Sequence, residues 1–154
     1  MSEHPRYEGL HGQLGALGAL KRNIVRVLPH DCPAGSAAVL ATLRHHGSVR
    51  LSRLADLHSV DISVASRHVS HAVDRGWVAR TRDPEDRRSW ILELTAAGRG
   101  VLDDISERTT RLLADRLSGW TDDEIGQLTA VMVHLRETFA ECRPVPRAAA
   151  PALA

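Results

Sequence analysis

Charged side chains of both signs crowd into one short segment, residues 80–95, which is written RTRDPEDRRSWILELT. Nearly all positive charge in the chain is arginine, since Lys21 is its single lysine. Guanidinium groups are planar forks that suit phosphates and base edges. On a tight loop, Asp86 can brace the Arg88 guanidinium, which reduces the side-chain entropy lost on binding. The segment therefore predicts anion recognition by preorganised arginines.

A second polar cluster lies just before this segment, where the apolar residues of positions 62–75 have helical spacing. One side of this predicted helix is apolar and carries Ile62, Ala65, Val69, Ala72 and Val73. The opposite side carries Ser63, Val64, Arg67, His71 and Asp74, with His68 and Ser70 at its margins. The apolar side predicts a buried face, so the opposite side offers hydroxyl, imidazole and guanidinium groups to a partner.

The neighbouring segments predict how these groups are positioned. Residues 51–58 form a short helix, and a tight turn leads to Asp61 at the next N-cap, where its carboxylate would accept first-turn amides. Strand-like residues 77–82 and 89–94 flank the charged loop. Two helices, a turn and a hairpin make a winged helix-turn-helix. Its second helix enters the major groove of DNA, and its hairpin loop, the wing, reaches the minor groove.

Helical segments flank this unit on both sides. The predicted helices cover residues 10–28, which Pro29 ends, 34–46, which Gly47 ends, 96–117, and 122 onward. Thr121 and Glu124 form a capping box at the last helix. The apolar residues of that helix then step by three and four, as in a heptad seam. Residues 1–8 and the Ala/Pro tail, 144–154, are predicted to lack regular structure.

Length and composition exclude several classes of protein. A chain of 154 residues fits one domain, and its 3% aromatic content predicts an aliphatic core. Its net charge of +1 does not indicate any particular class of partner. No apolar run approaches the roughly 20 residues of a membrane span, and no signal core is present, which predicts a cytoplasmic protein. No Gly-rich phosphate loop, nucleophile elbow or apolar carboxylate pair occurs, so we expect neither an enzyme nor a cofactor.

The segment SVASRHVSHAVDRGWVARTRDPEDRRSWILELTAAG resembles the winged-helix segment of the MarR family of bacterial transcriptional regulators. The matching features are the Ser66-Arg67 pair, G-W-V-x-R, D-P-x-D-R-R and L-x-L-T-x-x-G. The close match covers about residues 36–100, and the flanking helices match only in layout.

The resemblance implies a mainly α fold with a small two- or three-stranded β-hairpin, a winged helix-turn-helix with flanking dimerisation helices. The implied partners are double-stranded DNA, a second copy of the chain and a small-molecule effector. The implied repressor binds a pseudo-palindromic promoter site, and an effector between the first, second and fifth helices releases it. The implied parts are residues 1–33 (dimerisation helix and connector), 34–95 (DNA-binding domain), 96–143 (C-terminal dimerisation helices) and 144–154 (tail).

The resemblance also implies site residues, which we assign position by position. We expect DNA contacts from Ser63, Ser66, Arg67, His68, His71, Arg87 and Arg88, with Asp86 as wing support. His68 and His71 enter by helix geometry alone, and Arg87 by its place at the loop tip. Val64 departs from the hydroxyl residue that is commoner there, and offers a methyl contact to thymine. No residue is assigned to effector or metal binding.

Other functions on the same scaffold stay open. A redox sensor would use Cys32, where the adjacent His30 and Asp31 set the thiol environment and a histidine can lower the thiol pKa. A metal sensor would draw on His30, Cys32, His45, His46 and His134, although no metal-ligand spacing supports it. A winged helix used only for protein interaction would bind no DNA, and the arginines at 67, 87 and 88 argue against it.

Overall fold

The computed structural model describes residues 5–141, with the side chains of residues 7–139, as a mainly helical chain with one small sheet. In chain order the elements are α1 (Pro5–Val25), α2 (Ala34–His46), β1 (Val49–Arg50), α3 (Leu51–His58), α4 (Ile62–Asp74), β2 (Val78–Arg82), β3 (Trp90–Leu94), α5 (Ala96–Arg116) and α6 (Asp122–Glu141). The fold class is confirmed, and α2 and α3 have the predicted bounds. The predicted disordered tail, residues 144–154, lies outside the described residues.

Contacts divide the chain into two units, Met1–Asp115 and Arg116–Ala154. The second unit contains α6, whose predicted capping box is confirmed. The Thr121 N–H donates to Glu124 Oε2 at 2.8 Å, and the Glu124 N–H donates to Thr121 Oγ1 at 3.3 Å. This reciprocal pair satisfies two amides that the helix itself leaves open. None of the described helices has the length and apolar content needed to cross a membrane.

Three short strands form one antiparallel sheet in the order β1–β3–β2. β2 and β3 pair from Val78 opposite Leu94 to Arg82 opposite Trp90, which confirms the predicted hairpin. β1 adds two residues on the other side of β3, so the sheet has three strands rather than two. Alternate residues of each strand share one face, so the register decides which side chains leave the core together.

A mainly aliphatic core joins α2, α3, α4 and α5 to this sheet, as the low aromatic content predicts, although Trp77 and Cys32 also belong to it. Its fully buried members include Leu40 of α2, Leu54 of α3 and Leu92 of β3. Burying each such leucine contributes about 1.5–3 kcal/mol. α4 packs on both α2 and α3 through its small buried residues, so its position is set by two helices at once.

Both ends of α1 and the start of α4 differ from the predictions. α1 begins at Pro5, so the prediction that residues 5–8 are loose is wrong, because proline suits a first helical turn. It ends at Val25, since the next three N–H groups donate to carbonyl oxygens three residues earlier instead of four. Asp61 occupies the N-cap of α4, but its side chain makes no capping hydrogen bond. Its carbonyl oxygen accepts the first hydrogen bonds of the helix, and its carboxylate is exposed to solvent.

α5 begins at a crowded junction between the base of the wing and the end of α4. The Thr95 N–H donates to the Trp77 carbonyl at 3.0 Å, and the Thr95 hydroxyl accepts the Gly98 N–H at 3.1 Å. A Cβ on Gly98 would lie 2.2 Å from the Trp77 carbonyl oxygen and 2.7 Å from Leu94 Cδ1. The first of these atoms is backbone, so the junction leaves no room for a side chain at position 98.

Gly98→Ala should therefore lower the free energy of unfolding by about 3 kcal/mol, the upper range for overpacking a core. The matched control is Gly100→Ala in the same helix, where a Cβ meets nothing within 4 Å. This control should stabilise the protein by about 0.5–1 kcal/mol, because alanine loses less backbone entropy in a helix. Urea unfolding of both variants and the parent measures these changes. Equal stability of the two variants would show that the junction is not closely packed.

Candidate nucleic-acid interface

α4 turns its polar side away from the core. The inward residues Ala65, Val69 and Ala72 are buried. Ser63 and Arg67 are exposed and Ser66 is half-buried. Within the described part of the chain, no hydrogen bond or ion pair engages these three side chains. Ile62, predicted to face inward, is 55% exposed because it lies in the first turn, ahead of the buried part of the helix.

His68 and His71 lie against α2 instead of on the exposed side of α4. The His68 ring closes over Gly35, where a Cβ would come within 2.5 Å of the ring. His71 Nδ1 lies 3.0 Å from the Ser36 hydroxyl, and its ring meets Trp77 edge-on with centroids 5.7 Å apart. The predicted place of His71 on the exposed face, and of His68 at its margin, is therefore wrong, because α2 covers a wider arc of α4 than the apolar pattern indicates.

A third histidine fastens α3 to α2 beside this contact. Nε2 of His58 lies 2.7 Å from the Thr42 hydroxyl oxygen. Burial, and next the nearby His68, lower the pKa of His58 below the ordinary histidine value, since both disfavour the imidazolium. The neutral ring is thus the favoured form in the folded protein, and the two helices that support α4 are joined by a side-chain hydrogen bond.

A buried carboxylate anchors the wing to β1. The Asp83 side chain is 2% exposed, and its Oδ2 accepts a hydrogen bond from Arg50 Nε at 2.6 Å. Its Oδ1 accepts the Glu85 N–H at 2.9 Å. The Glu85 carboxylate adds a second ion pair to Arg50 at 3.2 Å. Two acids of the charged loop are therefore directed to one arginine outside the loop.

Asp86 shapes the wing tip through the main chain. Its Oδ1 accepts the Arg88 N–H at 3.0 Å, and its Oδ2 accepts the Ser89 hydroxyl at 2.8 Å. The Ser89 N–H donates to the Asp86 carbonyl at 2.8 Å. The prediction that Asp86 braces the Arg88 guanidinium is wrong, because at this spacing aspartate forms a turn with the amide two residues on.

Hydrogen bonds favour the ionised form of two loop carboxylates, Asp83 and Asp86. The Glu85 N–H, and then Arg50, hold the pKa of Asp83 below its usual value, and the Arg88 N–H does so for Asp86. A folded pKa below the unfolded one stabilises the fold fully above about pH 4. This stabilisation is lost only as the pH falls through the folded values. The wing geometry is therefore insensitive to pH near neutrality.

The arginines near the wing tip form no ion pair with a carboxylate among the described residues. Arg82 donates to the Arg87 carbonyl at 2.8 Å, and its guanidinium lies 4.0 Å from the Trp90 ring centroid. Arg87 and Arg88 are exposed, and their guanidinium groups form no ion pair with any described residue. The acids of the loop are thus satisfied by Arg50 and by donors within the loop, and the tip keeps its positive charge, a distribution that suits phosphate binding.

Cys32 is a core residue rather than an exposed thiol. It is 2% exposed, and burial, followed by the charge of Asp31, raises the pKa of its thiol. A protonated, buried thiol is unreactive, so the structure disfavours redox sensing at this position. Asp31 pairs with Arg75, which caps the end of α4, at 2.6 Å. Among the residues that the structure describes, no group of three or more His, Cys, Asp or Glu side chains could hold a metal ion.

Two positions that shape the wing are absent from the predicted site. Arg50 lies 33 positions from Asp83 in a two-residue strand, and no local pattern links the two. The position of Trp90, in contrast, could have been predicted from the sequence. The hairpin alternation places Arg80 and Arg82 on one face, and the loop length puts Trp90 opposite Arg82.

Comparison with known proteins points to the same part of the chain. Residues 34–90 match the model of the MarR family. The transcriptional repressor MdtR of Bacillus subtilis is 30% identical over 103 residues, which are 65% of this chain and 66% of that protein. The multiple antibiotic resistance protein MarR of Salmonella typhimurium is 28% identical over 101 residues, which are 65% of this chain and 70% of that protein.

Solved structures extend the likeness to the whole fold. A crystal structure of MarR superposes with a TM-score of 0.78 at 25% identity, over 87% of this chain and 92% of that chain. MarR family regulators bind DNA, act as dimers and are not enzymes, which confirms the predicted non-enzymatic class. The winged helix, the match across it and the relatives agree: the chain belongs to the MarR family of transcriptional regulators.

Proposed function

We propose that this protein is a homodimeric repressor, which occupies a pseudo-palindromic promoter site and leaves it when a small-molecule effector binds. The observation that supports this proposal best is the distribution of charge in the wing. Its acids have hydrogen-bond or ion-pair partners, whereas the guanidinium groups of the tip arginines form no ion pair with a described residue. MdtR, a relative 30% identical, is described as a repressor, which supports the same role here. A protein that acts at promoters works beside the chromosome, hence in the cytoplasm.

In this proposal α4 enters the major groove and the wing enters the minor groove. The major groove is about 12 Å wide and admits a helix. Ser63 and Ser66 bond phosphates or base edges, and the Arg67 fork suits guanine. Arg87 and Arg88 enter the narrow minor groove, where the negative potential is strongest. The two surfaces are mechanically linked, since α4 packs against β2 and β2 leads directly into the wing.

His68 and His71 take a different role from the predicted one. Their rings contact Gly35 and Ser36 at the start of α2, so they fix the rotation of α4 about its own axis. We therefore propose them as positioning residues for the DNA-contacting side chains, and not as DNA contacts themselves.

A second copy of the chain is the partner proposed for α1 and α6. Each helix, taken by itself, leaves an apolar row exposed, including Leu14 and Leu17 on α1 and Met132 on α6. α1 is also a weak helix by sequence, because each of its glycines at 9, 12, 15 and 18 costs about 1 kcal/mol relative to alanine. Covering its leucines offsets that cost. Residues 1–33 and 96–143 would then dimerise around DNA-binding residues 34–95.

An effector site is proposed in a cleft between the turn after α1 and the C-terminal half of α5. The cleft has a volume of about 340 Å³ and is lined by Arg26, Val27, Leu28, Arg108, Arg111, Leu112 and Asp115. Arg108 and Arg111 pair with Asp104 and Glu107, one turn earlier on α5, but both pairs are exposed and therefore weak. A small aromatic carboxylate can compete with these partners while its ring packs on the aliphatic side chains, and the volume is at the lower end for ligand sites. α2, a predicted wall of the effector pocket, contributes no residue to this cleft.

DNA binding is tested by titrating the dimer with duplex DNA from upstream of its own gene and with a scrambled duplex, across a salt series. Arg87→Gln with Arg88→Gln should lower the slope of log Kd against log salt by about two. Arg67→Gln should reduce the preference for the operator by about 1–3 kcal/mol. Arg116→Gln, an exposed charge at the end of α5, is the control. Absence of binding to any genomic fragment at low salt would instead favour a protein-interaction module.

Effector release is tested in the same titration with benzoate as the probe. Benzoate should raise the Kd for operator DNA, whereas benzyl alcohol, which lacks the carboxylate, should not. Arg108→Gln with Arg111→Gln should leave DNA affinity unchanged and require more than tenfold more benzoate, since each charge-assisted contact contributes about 1.5–3 kcal/mol. An unchanged benzoate response in this variant would place the effector elsewhere.

The dimer is tested by sedimentation equilibrium of the full chain, for which a mass of twice 16.9 kDa is expected. Leu14→Glu with Leu17→Glu puts two charges in the apolar row of α1 and should shift the protein to the monomer at micromolar concentration. Ala19→Glu adds a charge on the opposite side of the same helix and should leave the dimer intact. A dimer that survives the leucine substitutions would exclude this row from the interface.

A further inference from the structure

Three side chains form a cluster on one face of the wing: Arg80, Arg82 and Trp90, here called the wing-face cluster. The guanidinium carbons of Arg82 and Arg80 lie 4.0 Å and 4.9 Å from the Trp90 ring centroid. Arg82 lies opposite Trp90 in the sheet register, and Arg80 is two residues earlier on the same strand face. One indole ring is therefore shared by two guanidinium groups.

The positive charge of this cluster has no counterion within the described residues. No ion pair there involves Arg80 or Arg82, and the loop acid Asp83 is engaged with Arg50. Two neighbouring guanidinium groups repel each other, and attraction to the ring face offsets part of that repulsion while leaving both charges intact. Such an arrangement indicates an anion that comes from outside the chain.

The position of the cluster points to the nature of that anion. Val78, on the same face of β2, is buried in the core, and the face then continues outward through Arg80 and Arg82. α4 packs against β2, so the cluster occupies the stretch between α4 and the wing tip. A DNA strand that runs from the major groove at α4 to the minor groove at the tip must pass this stretch.

We propose that Trp90 is a positioning residue that holds Arg80 and Arg82 as a clamp on the phosphates of this strand. The inference rests on the proposed DNA-binding function and adds two backbone contacts to it. Arg82 is fixed at a second point, because it donates to the Arg87 carbonyl at 2.8 Å. The ring therefore also orients the wing tip.

The first experiment removes both charges of the clamp. Arg80→Gln with Arg82→Gln should weaken binding to operator and scrambled duplexes alike, since phosphate contacts carry no sequence information. The slope of log Kd against log salt should fall by about two, roughly one for each lost contact. Arg116→Gln should leave the affinity and the slope unchanged, which separates the clamp from a general loss of positive charge.

The second experiment tests the ring. Trp90→Leu keeps an apolar side chain but removes the π face, so affinity should fall about fivefold, whereas Trp90→Phe should retain most of it. In the background of the two glutamine substitutions, Trp90→Leu should cause no further loss, because the groups that it positions are gone. A loss that persists in that background, accompanied by a lower unfolding temperature, would show a structural role and overturn the proposal.

These outcomes separate the clamp from the function on which it rests. If the parent protein binds no DNA at low salt, the DNA-binding function itself fails. If the parent binds with a steep salt dependence and the glutamine double variant keeps the same slope, Arg80 and Arg82 do not contact phosphates. In that case the clamp is wrong and the proposed function stands.

Discussion

The position of the wing depends on the buried ion pair between Asp83 and Arg50. A carboxylate is stable away from water only when its oxygens have donors, and both oxygens of Asp83 do. Arg50 belongs to a strand of two residues, which has few main-chain bonds of its own. The ion pair therefore joins the shortest strand of the sheet to the loop after β2. Arg50 is half exposed and can be hydrated without its partner, whereas Asp83 cannot.

This anchor explains why a loop proposed to bind an anionic partner contains three acids. Asp83 and Glu85 are directed to Arg50, and Asp86 accepts main-chain and hydroxyl donors at the tip. The acids set the loop conformation and neutralise a cation outside the loop. The arginines of the loop keep their charge and face solvent. Opposed charges close in sequence are thus separated in space: the acids shape the loop, and its arginines remain available for the proposed partner.

Local signals predicted the elements well, and long-range contacts account for what they missed. Gly47 and the Thr121–Glu124 box marked helix ends because a cap is decided within a few residues. The helix periodicity of α4 identified its buried residues, but it could not show how far α2 wraps around the helix. His71 is therefore misplaced by the pattern, since its partner Ser36 is 35 positions away. The Arg50 contact was unpredictable for the same reason.

The packing of α4 also gives a physical route from an effector to the DNA. Arg75, at the end of α4, pairs with Asp31 in the connector between α1 and α2, and Ser36 at the start of α2 contacts His71. The proposed effector cleft is lined by residues 26–28, a few positions before Asp31. Packed interfaces move as rigid pieces rather than deform smoothly. In the proposed mechanism, a ligand that displaces residues 26–28 would shift the connector, and both contacts would pass that shift to the orientation of α4. If the dimer meets two half-sites at once, as proposed, a small rotation in each copy would be enough to lower its affinity for the promoter.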